Sequence, residues 1–539
     1  MAAGALPRLS HYGRWLTDPQ GRVVVLRGGN VVELVGDAHH HVPGAGRDPW
    51  SAATPRMLAD AGFNAVRLTV YMYGLAPEPG RIDQAYLDAV AATVAAYKAA
   101  GVAVLVDFHQ DEYSPAVGGR GMPAWMALTD GRKRDPAIRG PNGYFKDAAV
   151  QATFDNFWAN KPVATGQPVQ DAYLAAVAAV AKRFAGEPAV FGIDLMNEPA
   201  TGSRCAQPDP QSANCPELEQ TYLAPFYRKA GEVVGPMAPR TLLFVEPFML
   251  QGALGTPIHT PMPQLREQGL SFHNYGPFHA TRDRVSASAL ANAEARNAAI
   301  LNTEWGFSND AADLANQAQD FDSRFIPWLA WARGPFEGMV NPAATLEPTV
   351  NREAVLRAYA RPYPAATAGT PLKLSFDADA GVLDYRWSTL GPDGVNRTRL
   401  ATEIRMPAPS FPRGYRATAT GGRIVSPPDA PVLRVRAMPG AREVTVHATR
   451  IGQLPPLASQ HAAVAANGKL GLDSNLGDLM RDPRAKAILD KYVPTLASSS
   501  NIALAPQITL RGMQPYLPDM TDEIARKIEA DLAALPPAR

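Results

Sequence analysis

Residues 190–199 read VFGIDLMNEP, an apolar run that delivers Asn197 and Glu198 at its carboxyl end. Gly192 upstream and Pro199 just past the end bound this run, which predicts a buried strand. In a barrel of alternating strands and helices, the carboxyl ends of the strands form the floor of the active site. A buried glutamate without a chemical role would be costly to keep ionised. Glu198 is therefore a candidate for chemistry, and a capping Asn-Glu pair in a strand-to-helix loop is the alternative.

A second strand end of the same kind lies further along the chain, where residues 299–306 read AILNTEWG. This run places Glu304 beside a Trp-Gly pair, as the first run places Glu198 beside Asn197. A retaining glycosidase needs two carboxyl groups about 5 Å apart, one to protonate the leaving oxygen and one to attack the anomeric carbon. The two strand ends together therefore predict a retaining glycosidase.

The wider pattern of the chain divides it into four regions. Eight apolar runs alternate with helix-like segments over residues 1–362, which predicts a (β/α)8 barrel. Short alternating runs between Gly, Pro and Asp turns predict a small β-sandwich over residues 363–452. A linker at residues 453–467 leads to residues 468–539, which read as a helical C-terminal appendage. The predicted barrel strands are 23–31, 63–70, 102–108, 190–199, 241–246, 270–275, 299–304 and 325–331, preceded by a hairpin over 8–27 that turns at 18–21.

Length and charge limit the functions that the chain can have. At 539 residues it is long enough for two or three domains, the largest of them a barrel. With 52 basic and 51 acidic residues its net charge is +1, which gives no reason to expect nucleic acid or an anionic membrane as the main partner. A neutral ligand fits better. No apolar run reaches the roughly 18 residues that a transmembrane helix needs.

The two cysteines, Cys205 and Cys215, lie in a Pro/Ser/Asn/Gln-rich loop directly after the first motif. This spacing suits a loop-closing disulfide in an oxidising compartment, and two free thiols in a cytosolic protein are the alternative. Residues 1–4 lack a charged region followed by an apolar one, so we expect any signal peptide to have been removed or never present. The expected location is secreted or periplasmic.

Four segments carry a family resemblance: DFHQD at 107–111, FDNFW at 154–158, LMNEP at 195–199 and RPYP at 361–364. With these, the chain resembles glycoside hydrolase family 5, whose (β/α)8 barrels carry the acid/base glutamate on strand 4 and the nucleophile on strand 7. Within that family it is most similar to the endoglycoceramidases and related glycosylceramidases. The resemblance implies an accessory sandwich after the barrel and a hairpin lid at the bottom of the barrel. A helical appendage is not part of the usual two-domain pattern.

The resemblance also implies roles for residues at the strand ends. Glu198 would be the acid/base and Glu304 the nucleophile, so the two must differ in proton affinity. Arg67, at the end of the predicted second strand, would donate to the nucleophile and keep it ionised. His273 and Tyr275 are spaced by two and face the same side of a strand, beside the catalytic pair.

Further residues would bind the sugar. Asn197 resembles the family's Asn that bonds the sugar 2-hydroxyl, a contact that strengthens in the transition state. His109 and Asp111 match the His-Gln-Asp end of the endoglycoceramidases and would bond the hydroxyls of the first sugar. Trp158 and Trp331 are candidates for stacking on sugar faces, with a buried structural Trp as the alternative for each.

One segment departs from the family pattern. Endoglycoceramidases carry a Lys a few residues beyond Arg-Gly-x-Asn on strand 1, whereas residues 27–34 here read RGGNVVEL. That Lys is thought to help bind the second sugar. Its absence, with Glu33 and Leu34 in the corresponding stretch, favours a monoglycosyl lipid or another β-glucoside over a lactosyl head group.

A histidine run and a third strand-end glutamate offer alternative kinds of site. The run His39-His40-His41 invites a metal hypothesis, but adjacent side chains diverge, no carboxylate or Cys follows at ligand spacing, and the reaction needs no metal. We therefore expect no metal and no cofactor. Glu246, at the end of the predicted fifth strand, is a rival acid, but it lacks the Asn partner that Glu198 has.

The leading hypothesis is a retaining β-glycosidase that splits a glucosyl or short oligosaccharide head group from an apolar aglycone such as ceramide. The alternatives are a β-glucosidase on aryl or alkyl glucosides and an endo-β-1,4-glucanase, which would present a long aromatic-lined cleft. A catalytically inactive carbohydrate-binding barrel is disfavoured by the two glutamates, the arginine and the His/Tyr pair. The expected partner is a small glycoside or glycolipid, with transient contact to a lipid surface and no nucleic acid.

Overall fold

The computed structural model describes residues 6–32, 53–138, 142–205, 215–249, 251–276, 279–306, 310–331, 339–340, 351–457, 470–474, 476–497, 509–514 and 520–536. The His39–His41 run and the Glu33-Leu34 departure lie outside these residues, so both interpretations stay predictions.

Eight parallel strands form a closed barrel in the order β10-β11-β4-β5-β6-β7-β8-β9. The strands are β4 Arg27–Val31, β5 Ala65–Val70, β6 Ala103–Phe108, β7 Val190–Asp194, β8 Leu242–Val245, β9 Gln268–Asn274, β10 Ala299–Trp305 and β11 Trp328–Ala330. Every residue of these strands is buried, which is why they read as apolar runs rather than as alternating ones. The predicted (β/α)8 barrel is confirmed.

Helices connect the barrel strands and cover their outer side. The α-helices of this part of the chain span Thr54–Asp60, Met72–Leu75, Gln84–Ala99, Asn142–Lys146, Ala148–Trp158, Val169–Phe184, Pro216–Leu218, Ala224–Val234, Gln251–Leu254, His279–Ala295, Ala311–Arg324 and Arg352–Tyr359. A π-helical turn covers Glu219–Leu223, and 3-10 turns cover Pro115–Val117, Ala124–Met126, Gly202–Cys205 and Gly235–Met237. None of the helices in the described part of the chain is long and apolar enough to cross a membrane.

The amino end of the barrel interior is filled by apolar side chains, including Leu105, Phe191 and Leu301. Phe244 packs there against the glycines of neighbouring strands, and a Cβ on Gly192 would lie 2.8 Å from its ring. The large ring therefore requires glycine beside it. The carboxyl end of the interior is instead lined by charged groups.

The N-terminal strands differ from the prediction. β1 Ser10–Tyr12 and β2 Trp15–Thr17 form an additional hairpin, which turns at Gly13, a residue with φ +55°. β3 Val23–Val24 then pairs with Thr17 and with Ala366 and Thr367 from after the barrel, so the first barrel strand begins at Arg27 and not at residue 23. The turn predicted at 18–21 is confirmed: the Gly21 N–H donates to the Asp18 carbonyl at 2.8 Å, and the Asp18 carboxylate accepts from the backbone N–H groups of residues 20 and 22.

These N-terminal strands belong to the sandwich that follows the barrel. Its seven-stranded sheet has the order β1-β2-β3-β12-β15-β18-β17, and its four-stranded sheet has the order β13-β14-β19-β16. The remaining strands are β12 Tyr363–Thr367, β13 Thr370–Asp377, β14 Val382–Ser388, β15 Ala401–Arg405, β16 Tyr415–Thr420, β17 Gly422–Ile424, β18 Val432–Ala437 and β19 Glu443–Arg450. The predicted sandwich is confirmed, with three strands contributed from before the barrel.

Helices also form the C-terminal region, as predicted. They span Leu476–Arg481, Pro483–Tyr492, Pro494–Ala497, Leu510–Met513 and Asp522–Ala533. Leu479, Leu489 and Ile528 are at the centre of a hydrophobic cluster that is separate from the core of the barrel and sandwich. The boundaries drawn at residues 362, 452 and 467 stay predictions.

Candidate active site

Glu198 lies just beyond the end of β7 in a left-handed backbone conformation, with φ +43°. Its backbone N–H donates to Glu246 Oε2 at 2.9 Å, and its carbonyl accepts from Gln110 Nε2 at 2.8 Å. Its carboxylate Oε1 lies 2.8 Å from His273 Nδ1. This conformation is uncommon for a residue with a side chain, and in other proteins such residues cluster at active sites.

Glu304 lies near the end of β10, where the pairing with β9 shifts register. Arg67 Nη1 donates to Glu304 Oε1 at 2.6 Å, and the Tyr275 hydroxyl donates to Glu304 Oε2 at 2.9 Å. Both oxygens of this carboxylate therefore receive a hydrogen bond. Such donors favour the charged form of a carboxyl group.

The two glutamates approach each other closely across the barrel mouth. One carboxylate oxygen of Glu198, one of Glu304 and one ring nitrogen of His273 all lie within 4.8 Å of one another. Carboxyl groups of retaining glycosidases are about 5 Å apart, whereas those of inverting enzymes are about 6.5–9.5 Å apart to leave room for a water molecule. The observed separation fits covalent catalysis with retention.

The surroundings of Glu198 favour its protonated form. Burial raises the pKa of Glu198, the hydrogen bond and charge of His273 oppose that rise, and the nearby charge of Glu304 adds to it. The pKa of Glu198 stands above its ordinary value as a result. A carboxylic acid that keeps its proton at higher pH is suited to donate it to a leaving oxygen.

His273 bridges several of these groups. Its Nε2 lies 3.2 Å from Glu246 Oε1 and 3.6 Å from Glu304 Oε1, while Nδ1 faces Glu198. Burial alone would lower the pKa of His273, but the carboxylates of Glu246 and Glu304 raise it well above its ordinary value. These surroundings favour the protonated ring, with Nδ1 hydrogen-bonded to Glu198 and Nε2 at ion-pair distance from Glu246. Burial and Glu304 likewise raise the pKa of Tyr275, which keeps its hydroxyl a donor.

Arg67 is the centre of the charged layer beneath the glutamates. It is fully buried, and besides Glu304 it contacts Asp107, Asp194 and Glu246 at 2.9–3.0 Å. The predicted contact with Glu304 is present. With no exposed surface and several carboxylate partners, this guanidinium holds the carboxylates and does not face the sugar.

Asn197 is almost entirely buried beside this layer. Its Oδ1 accepts from Arg67 Nη2 at 2.8 Å, and its Nδ2 donates to the carbonyl of Gln110 at 2.9 Å. An amide nitrogen carries two hydrogens, so the second stays available for a sugar hydroxyl. The proposed bond to the 2-hydroxyl stays a prediction.

His109 and Asp111 lie together on the loop after β6. The His109 ring stacks on Trp331 at 5.2 Å between centroids with the planes 7° apart, and its nitrogens lie 2.8 Å from Asp107 and 3.2 Å from Asp111. Burial would lower the pKa of His109, but Asp107 and Asp111 raise it to about 9. Trp331 is half-buried, which leaves part of its surface for a ligand.

Trp158 is buried among other aromatic side chains, and its sugar-stacking assignment is wrong. Its indole N–H donates to the Ala200 carbonyl at 2.7 Å, and its ring stacks on Tyr222. Phe226 and Phe248 meet it edge-on, so only 8% of the residue is exposed. Trp158 packs in the core behind the strand end.

Sequence reasoning missed several residues around the site. Asp107 is the second-last residue of β6 and Asp194 is the last of β7, and a lone acid near the end of an apolar run was a signal that could have identified them. Gln110 lies inside the quoted His-Gln-Asp segment without having been given a role. Arg120 has no local sequence signal, yet it bonds the Asp111 carboxylate. Burial would raise the pKa of Asp111, but Arg120 and His109 hold it well below the usual range.

Cys205 and Cys215 form a disulfide, with their Cα atoms 6.2 Å apart. It closes the loop that follows the Glu198 strand end, and Cys205 is buried.

Comparison with known proteins adds independent findings. The family model for cellulase (glycosyl hydrolase family 5) matches residues 27–337, and that for the glycoside hydrolase family 5 C-terminal domain matches residues 361–449. Endoglycoceramidase I of Rhodococcus hoagii (strain 103S) is 32% identical over 468 residues, covering 82% of this chain and 88% of that protein.

Solved structures of endo-glycoceramidase II from Rhodococcus sp. have the same architecture. Its lactosyl-enzyme intermediate matches with a TM-score of 0.66 at 26% identity, covering 81% of this chain and 100% of that one. Its ganglioside GM3 complex matches with a TM-score of 0.65 at 25% identity, covering 81% of this chain and 99% of that one.

Proposed function

Because the chain belongs to glycosyl hydrolase family 5, we propose that it hydrolyses the β-glycosidic bond between the sugar head group and the ceramide of a glycosphingolipid. It is a retaining glycoside hydrolase. The observation that supports the mechanism is the close approach of Glu198 and Glu304, which have carboxylate oxygens within 4.8 Å of each other. The substrate class rests on the endoglycoceramidase relatives.

The first step forms a covalent glycosyl-enzyme. A carboxylate oxygen of Glu304 attacks the anomeric carbon while the Glu198 carboxylic acid gives its proton to the glycosidic oxygen, so the C–O bond breaks and the aglycone leaves as an alcohol. Arg67 and Tyr275 hold the attacking carboxylate in place through the bonds described above. Along with burial, the charge on Glu304 raises the pKa of Glu198, so the ionised nucleophile favours the protonated acid beside it.

The second step releases the sugar. Glu198, now a carboxylate, takes a proton from water, and the water oxygen attacks the anomeric carbon and displaces Glu304. Loss of charge from the esterified Glu304 removes one cause of the raised pKa of Glu198. Two inversions at one carbon give net retention, and both glutamates return to their starting states.

The sugar would be held on the side of the site formed by His109, Asp111 and Trp331. Both ring nitrogens of His109 face carboxylates, Asp107 and Asp111, so the ring positions Asp111, and the Asp111 carboxylate offers an acceptor to sugar hydroxyls. The exposed part of Trp331 offers an apolar face. The head group we propose is glucosyl or a short oligosaccharide, with the shorter one favoured by the missing strand 1 Lys.

A substrate panel tests the proposal directly. We would measure kcat/KM for p-nitrophenyl β-glucoside, p-nitrophenyl β-lactoside, glucosylceramide, a longer glycosphingolipid and cellopentaose. Turnover of the ceramide substrates well above cellopentaose is expected. Preferential cleavage of cellopentaose would favour an endo-β-1,4-glucanase, and activity confined to the aryl glycosides would favour a simple β-glucosidase.

Two further properties belong to the same proposal. A ceramide is anchored in a lipid surface, so we expect transient contact with that surface, measurable as faster turnover of glycolipid in vesicles or micelles than of monomeric substrate. The Cys205–Cys215 disulfide supports a secreted or periplasmic location. Fractionation of the native host, with the protein recovered only from the cytoplasm, would contradict that location.

A further inference from the structure

We infer that Glu246, together with Gln110, is a positioning residue that holds the acid/base Glu198 in its reactive conformation. This inference rests on the proposed function, in which Glu198 donates the proton. It assigns a role to a third buried glutamate that neither attacks the sugar nor protonates the leaving group.

The backbone of Glu198 is held from both sides. Its φ of +43° places it in a region that residues with a Cβ rarely adopt, so the surrounding structure must maintain it. Glu246 Oε2 accepts the Glu198 N–H at 2.9 Å, and Gln110 Nε2 donates to the Glu198 carbonyl at 2.8 Å and to the Asn197 carbonyl at 2.9 Å. The two polar groups of the strained residue are therefore both fixed by buried side chains.

Glu246 also acts on the carboxyl group of Glu198 through His273. Its other oxygen, Oε1, lies 3.2 Å from His273 Nε2, and the opposite nitrogen of that ring lies 2.8 Å from Glu198 Oε1. The same oxygen accepts from Arg67 Nη2 at 2.9 Å. One carboxylate thus fixes the backbone of the acid/base directly and its side chain through one intermediate ring.

These contacts suit Glu246 to positioning and not to proton donation. The residue is only 2% exposed, and both of its oxygens are occupied by donors from the protein. Burial would raise the pKa of Glu246, but His273 and Arg67 hold it below its ordinary value, so the group is ionised and accepts hydrogen bonds. The rival-acid interpretation of Glu246 therefore lacks structural support.

The test compares two substrates that differ only in how much protonation their leaving group needs. For 2,4-dinitrophenyl β-glucoside the leaving group departs without a proton, whereas phenyl β-glucoside depends on the acid. The variants are Glu246→Gln, which removes the charge, and Gln110→Met, which removes the donor to the Glu198 carbonyl. The matched control is Glu267→Gln, the same change at a buried glutamate just before β9 that accepts from Ser10 at the amino end of the barrel.

Glu246→Gln should lower kcat/KM for the phenyl glucoside by about 10- to 150-fold, the range for losing a charge-assisted hydrogen bond. Gln110→Met should lower it by about 5- to 140-fold, the range for losing two neutral hydrogen bonds. The dinitrophenyl glucoside should change by less than about threefold, because the acid is not needed in its first step. Glu267→Gln should leave the ratio of the two substrates at the wild-type value. Circular dichroism and Tm accompany each measurement.

An unchanged ratio in both site variants would overturn the inference, since a merely structural role lowers both substrates together. If Glu246→Gln does not fold, Gln110→Met alone decides, with the same two outcomes. Failure of the proposed function would look different, because the wild-type protein itself would then fail to turn over the ceramide substrates, whatever the variants do to the ratio of the two aryl glucosides.

Discussion

The two catalytic glutamates lie at the carboxyl ends of barrel strands, yet their surroundings favour opposite protonation states. Glu304 has each oxygen bonded by a donor, Arg67 on one side and Tyr275 on the other. Glu198 sits on a strained backbone with one oxygen facing His273, and burial together with the charge of Glu304 raises its pKa. The difference shows how one fold produces a nucleophile and an acid from the same residue type, by distributing donors unequally between them.

The largest effect should come from removing the nucleophile. Glu304→Gln should lower kcat/KM for every substrate on the order of 10⁶-fold, the scale seen when a covalent nucleophile is lost, because an amide cannot attack the anomeric carbon. Glu267→Gln, a buried glutamate at the other end of the barrel, serves as the control and should stay active. Residual activity of the Glu304 variant within tenfold of wild type would remove this assignment.

Removal of the acid should have a smaller and more selective effect. Glu198→Ala should lower kcat/KM by about 10²- to 10⁴-fold for a phenyl glucoside or a lipid glucoside, but much less for a dinitrophenyl glucoside. Added azide should accelerate breakdown of the glycosyl-enzyme and yield a β-glycosyl azide, identifiable by NMR. An α-linked azide would instead indicate inversion, and uniform loss across leaving groups would point to another acid.

The donor set around Glu304 can be weakened without touching either glutamate. Tyr275→Phe removes the hydroxyl that bonds Glu304 Oε2 and should lower kcat/KM by about 10- to 150-fold. Because the bond acts on the nucleophile, phenyl and dinitrophenyl glucosides should lose similar factors, in contrast to Glu246→Gln. A loss confined to the phenyl glucoside would mean that Tyr275 serves the acid and not the nucleophile.

The smallest effect is a shift in the titration of Glu198. The charge of Glu304 is one cause of the raised pKa of Glu198, so Glu304→Gln should lower that pKa toward the ordinary glutamate value. Carboxyl carbon NMR of protein labelled at glutamate would follow the titration, with Glu198→Gln to assign the signal. In wild type the activity should fall as pH rises through this pKa, since the acid must be protonated. An unshifted titration would show that the charge of Glu304 does not contribute to the raised pKa of Glu198.

Much of the fold and of the site followed from local patterns. The barrel strands are buried on both faces and so appear as apolar runs, and acidic residues at their carboxyl ends identified Glu198 and Glu304. The roles of Arg67, His273 and Tyr275 came from the family resemblance. The pairing of β3 with β12 could not be predicted from local patterns, because the paired residues Val24 and Ala366 are far apart in the sequence. Local sequence predicts a strand but does not identify a distant partner.

The errors at the site have a similar origin. Trp158 is the last residue of the family-like FDNFW motif, but the orientation of its ring is set by contacts with Tyr222 and Phe248 from other elements. Glu246 looked like a competitor for Glu198, since a strand-end glutamate gives no sign of which neighbours it will receive. Only the assembled barrel shows that its oxygens face the Glu198 N–H, Arg67 and His273.

The most direct test of the unequal pair is to trap the covalent intermediate. Wild-type protein would be incubated with 2-deoxy-2-fluoro-β-glucosyl fluoride, whose glycosyl-enzyme hydrolyses slowly, then digested and analysed by mass spectrometry. We expect one fluoroglucosyl group on the peptide that carries Glu304, and no labelling of the Glu304→Gln variant. A label on the peptide that carries Glu198 or Glu246, or time-dependent inactivation without any label, would contradict the account.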